Sequence, residues 1–369
     1  MINYLQRQQH VRNVMRREGV DLLVFTPGAA MRYLTGFTEH GHERLLALFF
    51  SVTAPPLFVT PALNASQVAS NPAEIKDIRV WDDGDDWTEI VNQVGQELRE
   101  TTILVGLDDD MPARFALPLQ TLLPAVRYVT TSKLLSELRC IKDEEEVNCL
   151  RSAAQITDQC VIEGIHLCKP GNSEMDIAMA IQCAFAKAGA EPAFDPIIAA
   201  GHNAAMPHHH TSTAKLQQGD IVVLDVGAKL NGYCGDITRV VAVQQSTELA
   251  RHVYSIVYAA HQCGLEAIRP GATAEDVDNA VRHVIVNAGY GEFFMHRTGH
   301  GIGLDEHESP YIVAGNKDPL LPGHCFSIEP GIYLPGQFGI RLENIVTVAE
   351  DFSPLVLNAP IPPELPIVN

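Results

Sequence analysis

The chain has 369 residues, a formal net charge of −19, and 46% hydrophobic residues. That length predicts two domains, the acidic balance argues against nucleic acid or an anionic membrane as partner, and no apolar run is long enough to span a bilayer. The start, Met1-Ile-Asn-Tyr-Leu-Gln-Arg-Gln-Gln-His10, lacks the charged-then-apolar pattern of a signal peptide, and the eight cysteines include no Cys-x-x-Cys pair, so they read as reduced, mostly buried thiols of a cytoplasmic protein.

In chain order, an amphipathic helix through about Glu18 leads into the strand Val20-Asp-Leu-Leu-Val-Phe25. Apolar runs at Leu45–Val52, Pro56–Thr60 and Thr102–Leu107, mixed with helical patterns, predict an α/β domain over residues 1–130. The acid-rich stretches Trp81-Asp-Asp-Gly-Asp-Asp-Trp87 and Asp108-Asp-Asp110 read as solvated turns. A polar helical stretch from Ser132 to Cys149, containing Asp143-Glu-Glu-Glu146, is expected to start the first helix of a second domain, 131–369. Helices near 150–168, 174–189, 246–268 and 274–288 then alternate with strands. Pro170-Gly171 and Pro270-Gly271 each follow a helix and precede a Ser/Thr-x-x-Asp start, a pattern that points to internal duplication. The tail from Ala359 onward reads as extended.

Five side chains in the second domain carry the chemistry: Asp225, Asp236, His300, Glu329 and Glu343. Each lies in a stretch that reads as strand or tight turn, among apolar or glycine neighbours. Carboxylates are rarely fully buried unless paired or bound to metal. Four of them with a histidine read as the ligand set of a two-metal hydrolase.

The first pair flanks Asn231-Gly232, a strong signal for a two-residue hairpin turn. That turn would place Asp236 opposite Gly227, with Asp225 as its diagonal neighbour on the same face. Such neighbours are about 7–8 Å apart at the backbone, which suits a metal pair roughly 3.5–4 Å apart. For Glu329 and Glu343, a two-residue Pro335-Gly336 turn would put the carboxylates on opposite faces. A five-residue loop from Pro335 to Gly339 would put them on one face and is preferred. Arg341 shares the face of Glu343 and is expected to orient that carboxylate.

His296, His300 and His307 fall in one glycine-rich segment, where one imidazole can ligate while others donate hydrogen bonds to substrate or transition state. A further run, Pro207-His-His-His210, precedes the first carboxylate strand; His209 and His210 read equally well as a solvated surface run. Cys234 reads as a small packing residue.

With these residues in place, the chain resembles the pita-bread-fold metallopeptidases, the family of methionine aminopeptidase, aminopeptidase P and prolidase. The resemblance rests on Asn203-Ala-Ala-Met-Pro-His208, Leu224-Asp-Val-Gly with Gly232-Tyr-Cys-Gly-Asp236, His296-x-x-Gly-His-Gly-Ile-Gly-x-x-x-His307, Ile328-Glu-Pro-Gly-Ile-Tyr333 and Gly339-Ile-Arg-x-Glu343, all in order. Tyr33-Leu-Thr-Gly-Phe37 and Pro61-Ala-Leu63 are similar to features of the prolidase amino-terminal domain. The resemblance implies a creatinase/prolidase-like N-terminal domain joined to a pita-bread catalytic domain. It implies that Asp225 chelates one metal, that His300 and Glu329 hold the other, and that Asp236 and Glu343 bridge them. His208, His296 and His307 would bind substrate or stabilise the reacting carbonyl, and Glu329 would shuttle a proton to the leaving proline nitrogen.

Mostly oxygen ligands with one nitrogen suit Mn²⁺ first, with Co²⁺ or Zn²⁺ able to occupy the same site. The implied activity is hydrolysis of Xaa-Pro bonds by a metal-bridging hydroxide in a small peptide with proline second, by a homodimer. An Xaa-Pro dipeptidase is the leading expectation, followed by an aminopeptidase P acting on longer peptides, then a non-peptidase pita-bread hydrolase or binding module. His42 and Arg44 are candidates for reading the substrate carboxylate.

Overall fold

The computed structural model describes residues 2–41, 43–98, 103–123 and 127–369. By internal contacts it comprises two compact units, Met1–Leu138 and Arg139–Asn369. The helix Ser132–Arg139 therefore counts with the first unit, although the sequence reading set a boundary at 130. Asp109 explains the attachment: its Oδ2 accepts hydrogen bonds from the Thr131 and Ser132 N–H groups at 2.9 and 2.7 Å.

The first unit is a six-stranded mixed sheet with helices. Its strands run in the order Asp77–Trp81, Leu57–Pro61, Ala47–Ser51, Leu22–Phe25, Leu104–Leu107 and Arg127–Thr130. The four strands Leu22–Phe25, Ala47–Ser51, Leu57–Pro61 and Leu104–Leu107 are almost wholly buried, as their unbroken apolar runs require. Its opening helix, Tyr4–Glu18, starts where the Asn3 side chain accepts from Gln6 N–H and stops at Gly19, whose φ of 68° is left-handed.

The helical stretch expected from Ser132 to Cys149 is broken. Ile141 bridges to His324, and a new helix, Glu144–His166, begins with a capping box in which Asp143 and Glu146 cap each other's backbone.

The second unit is built twice on one plan. Helices Glu144–His166 and Glu174–Lys187 form one pair, and Glu248–Glu266 with Ala274–Asn287 the other. Gly164 lets the first pair close up, since a Cβ there would lie 2.4 Å from Ile181 Cδ1; Gly264 does the same against Val281 Cγ2 at 2.7 Å. The second helix of each pair opens with a capping box, Ser173 with Asp176 and Thr273 with Asp276. Each then meets a returning strand in the same way: Ser173 bridges Lys215 and Thr273 bridges Pro319. The first half packs its helices on a sheet ordered Ile367–Val368, Ile237–Val243, Ile221–Val226, Ile197–Ala200. The sheet of the second half is ordered Glu308–Ile312, Gly299–Gly301, Cys325–Ile328, Asn344–Val348, Pro354–Val356. The tail is not merely extended: Ile367 and Val368 add a parallel edge strand beside Ala242 and Val243.

Candidate metal centre

Strand register delivers each carboxylate. In the first hairpin Asp225 pairs with Thr238, and the ladder continues with Lys229 opposite Cys234 and Leu230 opposite Tyr233. The turn is Asn231-Gly232, with φ of 50° and 82°. Asp236 thus falls opposite Gly227 with Asp225 diagonal to it, as the sequence predicted. A side chain at Gly227 would place its Cβ 2.2 Å from the Gly235 carbonyl oxygen.

The second hairpin corrects the sequence reading. Leu334 pairs with Phe338, so the loop is Pro335-Gly336-Gln337, three residues rather than two or five. Ile328 pairs with Asn344 and Gly331 with Arg341, one continuous register in which Glu329 stands directly opposite Glu343. Their N–H groups turn outward, Glu329 to Thr298 O at 2.8 Å and Glu343 to Thr238 O at 3.3 Å. The last of these ties the two hairpins together.

His300 lies on the short strand Gly299–Gly301. Its Nδ1 sits 3.0 Å from Gly301 O, which can only accept, so Nδ1 carries the proton. The Nε2 lone pair then faces the acids, 3.4 Å from Glu329 Oε1 and 3.8 Å from Asp236 Oδ2. Burial, with His307 beside it, pushes the His300 pKa down to about 3, so the ring is a neutral donor at ordinary pH.

Arg341 does not touch the carboxylate of Glu343. Its NH2 donates to Asp225 Oδ2 at 2.5 Å, its NH1 to Tyr333 OH at 2.8 Å and its Nε to Thr238 Oγ1 at 3.0 Å. Thr238 Oγ1 in turn donates to Glu343 Oε2 at 2.7 Å, so arginine and glutamate communicate through a hydroxyl. His296 completes this network. Its Nδ1–H donates to Arg297 O at 2.7 Å, leaving Nε2 to accept from Tyr333 OH at 2.9 Å. Both ring nitrogens are committed to the protein, and burial holds the pKa near about 4. His296 is therefore bonded to Arg297 and Tyr333 while its side chain still lines the cleft.

The donor set fits a divalent cation. Ligand atoms of Asp236, His300 and Glu343 all lie within 4.8 Å of one another. Asp236 Oδ1 is buried without a hydrogen-bond partner among the described residues. Burial, followed by the neighbouring carboxylates, holds Asp236 and Glu343 well above the ordinary carboxylate range. Glu329 is raised by burial to about 7. Buried acids crowded in this way are costly unless a cation neutralises them. Asp225 lines the same cleft, one oxygen already held by Arg341.

Metallopeptidase family M24 matches residues 148–350, and the Creatinase/Prolidase N-terminal domain matches 7–141. The chain belongs to metallopeptidase family M24. It is a peptidase, and its family implies divalent metal ions. It is 40% identical to a "Probable dipeptidase PepE" of Mycobacterium tuberculosis, over 93% of this chain and 91% of that one. It is 31% identical to an "Xaa-Pro dipeptidase" of Lactobacillus delbrueckii subsp. lactis, over 92% and 94%. The crystal structure of a recombinant prolidase from Thermococcus sibiricus superposes with a TM-score of 0.92 at 35% identity, covering 100% of each chain.

In this M24 peptidase the metal-ligand candidates and the histidines share one cleft of about 450 Å³, whose lining includes His208, His296 and His307. His307 is 46% exposed, and its ring lies 4.1 Å from that of His300. His208 is exposed and stands with Pro207 on the loop after the 3-10 helix Gly201–Ala205. His209 is no surface residue: its side chain is 10% exposed and bonds to Glu174. Cys234 is buried, its thiol pushed up to about 12, and it is not part of the cleft wall.

Sequence reasoning missed Tyr333, Thr238 and the cleft-wall residues Phe194, Asp195, Arg297 and Glu306. Thr238 was findable, because it lies two residues from Asp236 along a pleated segment. His42 lies outside the described residues. Arg44 is engaged inside the first unit, with Nε 2.6 Å from Asp83 Oδ1. Among the described residues no helix is long and apolar enough to cross a membrane.

Proposed function

We propose that this M24 peptidase cleaves Xaa-Pro dipeptides, using two divalent cations held by Asp225, Asp236, His300, Glu329 and Glu343. The observation that carries the reading is the convergence of Asp236, His300 and Glu343, with Glu329 beside them, at the floor of a cleft walled by His208 and His307. Relatives named as dipeptidases and prolidase over nearly the full chain support the substrate class.

Bound there, the cations supply Lewis acidity toward the scissile carbonyl and lower the pKa of water. The chain supplies the rest. Glu329, in the cleft beside His300, is placed to take a proton and return it to the leaving proline nitrogen. Ser327 Oγ donates to Glu329 Oε1 at 3.1 Å and fixes the orientation of that carboxylate. His307 and His208 present imidazoles to the substrate from the cleft wall. Arg341 holds Asp225 while Tyr333, itself bonded to His296, holds Arg341, which keeps the acid in place.

The test is hydrolysis of a matched Xaa-Pro dipeptide and Xaa-Pro-Yaa tripeptide by Mn²⁺-loaded enzyme, with chelated enzyme as control. Strong preference for the dipeptide is expected. Preference for the tripeptide would move the substrate class to that of an aminopeptidase P, and no turnover of either would sink the reading.

A further inference from the structure

Glu174 is the first residue of the helix Glu174–Lys187 and is 0% exposed. Such burial costs several kcal/mol for a carboxylate unless hydrogen bonds compensate. Here five donors converge on it. Ala200 N–H and Asn203 Nδ2 donate to Oε1, each at 2.9 Å. Ser212 donates to Oε2 through N–H at 2.9 Å and Oγ at 2.7 Å, and His209 Nε2 stands 2.8 Å from the same oxygen. All five come from one segment, 200–212, and they bracket Pro207 and His208, which face the cleft. These bonds outweigh burial and hold the carboxyl below its usual range.

The internal duplication supplies a control. The helix–strand joint around Glu174 has a counterpart: Glu174 N–H donates to Ala214 O at 3.1 Å, and Ala274 N–H donates to Asp318 O at 3.1 Å. Leu216 N–H to Asn172 O and Leu320 N–H to Ala272 O are both 2.9 Å. The second half thus builds the same joint with alanine where the first has glutamate. Its neighbour Glu275 takes a single exposed bond, from Gly315 N–H at 2.7 Å. A buried carboxylate is not needed to make the joint, so the burial of Glu174 serves the loop.

We propose that Glu174 is a positioning residue that, through Ala200, Asn203, His209 and Ser212, fixes the loop presenting His208 to the substrate. The inference rests on the reading of His208 as a substrate contact, and its test separates the two. Wild type, Glu174→Gln, His208→Ala and the double variant are compared as full-length, Mn²⁺-loaded enzymes on Ala-Pro. Amide hydrogen exchange and metal content are measured on the same samples.

In Glu174→Gln, protection of the Ala200 and Ser212 amides should fall while the Ala274 and Glu275 amides and the metal content stay unchanged. Its kcat should drop at least about tenfold with little change in KM, and by less than twofold when His208 is already alanine. Equal fold losses in both backgrounds, or unchanged protection at Ala200 and Ser212, would overturn the positioning role. A fully active His208→Ala would overturn the reading of His208 itself, and the inference with it. Should Glu174→Gln fail to fold, Ser212→Ala keeps the Glu174 carboxylate, removes the Oγ that donates to it and accepts from Ala214 N–H, and is expected to show the same pattern at smaller amplitude.

Discussion

Metal affinity in this site should fall steeply as pH drops from 7.5 to 5.5, because protons and cations compete for the same oxygens. Glu329 has its carboxyl raised to about 7, so metal-free protein carries a proton there over most of that range. Binding must expel it, and the apparent affinity scales with the ionised fraction. That fraction drops about 25-fold between pH 7.5 and 5.5, worth roughly 2 kcal/mol. Asp236 and Glu343 lie well above the ordinary range and are displaced with the same sign, so their protons oppose binding in the same direction. His300 contributes nothing to the slope, since at about 3 it has no proton to lose in this window. Titration calorimetry with Mn²⁺ in buffers of different ionisation enthalpy gives both the affinity and the protons released. An affinity changing less than about threefold, with no proton release at pH 5.5, would refute the idea that these acids are the ligands.

Three substitutions test the supporting geometry. Asp236→Asn should keep the fold, bind less metal and lose more than about a hundredfold in kcat, exceeding the effect typical of outer residues; a metal-replete active variant, by elemental analysis and Ala-Pro turnover, would reject its assignment. Thr238→Val removes the hydroxyl shared by Glu343 and Arg341 and should cost about 1–3 kcal/mol in urea unfolding, with activity also reduced. Wild-type stability there would mean the hydroxyl is dispensable. Gly299→Ala would set a Cβ 1.8 Å from Ser327 O and should cost about 3 kcal/mol or more while displacing His300; an unshifted denaturation midpoint with normal turnover would contradict the close approach.

How much the sequence disclosed depended on how locally each feature is determined. Asn231-Gly232 prescribes its turn through two residues that tolerate positive φ, so the positions of Asp225 and Asp236 were legible. Pro335-Gly336 prescribes less. The three-residue loop is decided by where the following strand is seated, with Gly339 pressed so closely on the 3-10 helix that a Cβ would lie 2.0 Å from Ala204 O. The face of Arg341 was readable, but a side chain that long passes one carboxylate to reach another, and Asp225 is contributed by a different hairpin. Glu174 and His209 are distant in sequence and each resembles a surface residue alone, so only the folded chain pairs them. The break before Glu144 could have been read from Asp143-x-x-Glu146, a capping-box pattern that interrupts an otherwise continuous polar helix. The duplication was visible at Pro170-Gly171 and Pro270-Gly271, and Gly164 with Gly264 repeats it at the helix crossings.

The proposed donors of the metal site are divided between the two copies of the repeated plan: Asp225 and Asp236 belong to the first, His300, Glu329 and Glu343 to the second. Neither copy alone assembles the trio of Asp236, His300 and Glu343. A cation seated among them is consequently a clasp across the seam, and its removal leaves crowded buried acids there that take up protons. A chain cut in the connection between Val243 and Glu248 would have the metal as one coupling agent between its fragments. Beside it stand the bond from Glu343 N–H to Thr238 O and the tail strand on Ala242 and Val243, so that affinity for the ion adds to the cohesion of the halves.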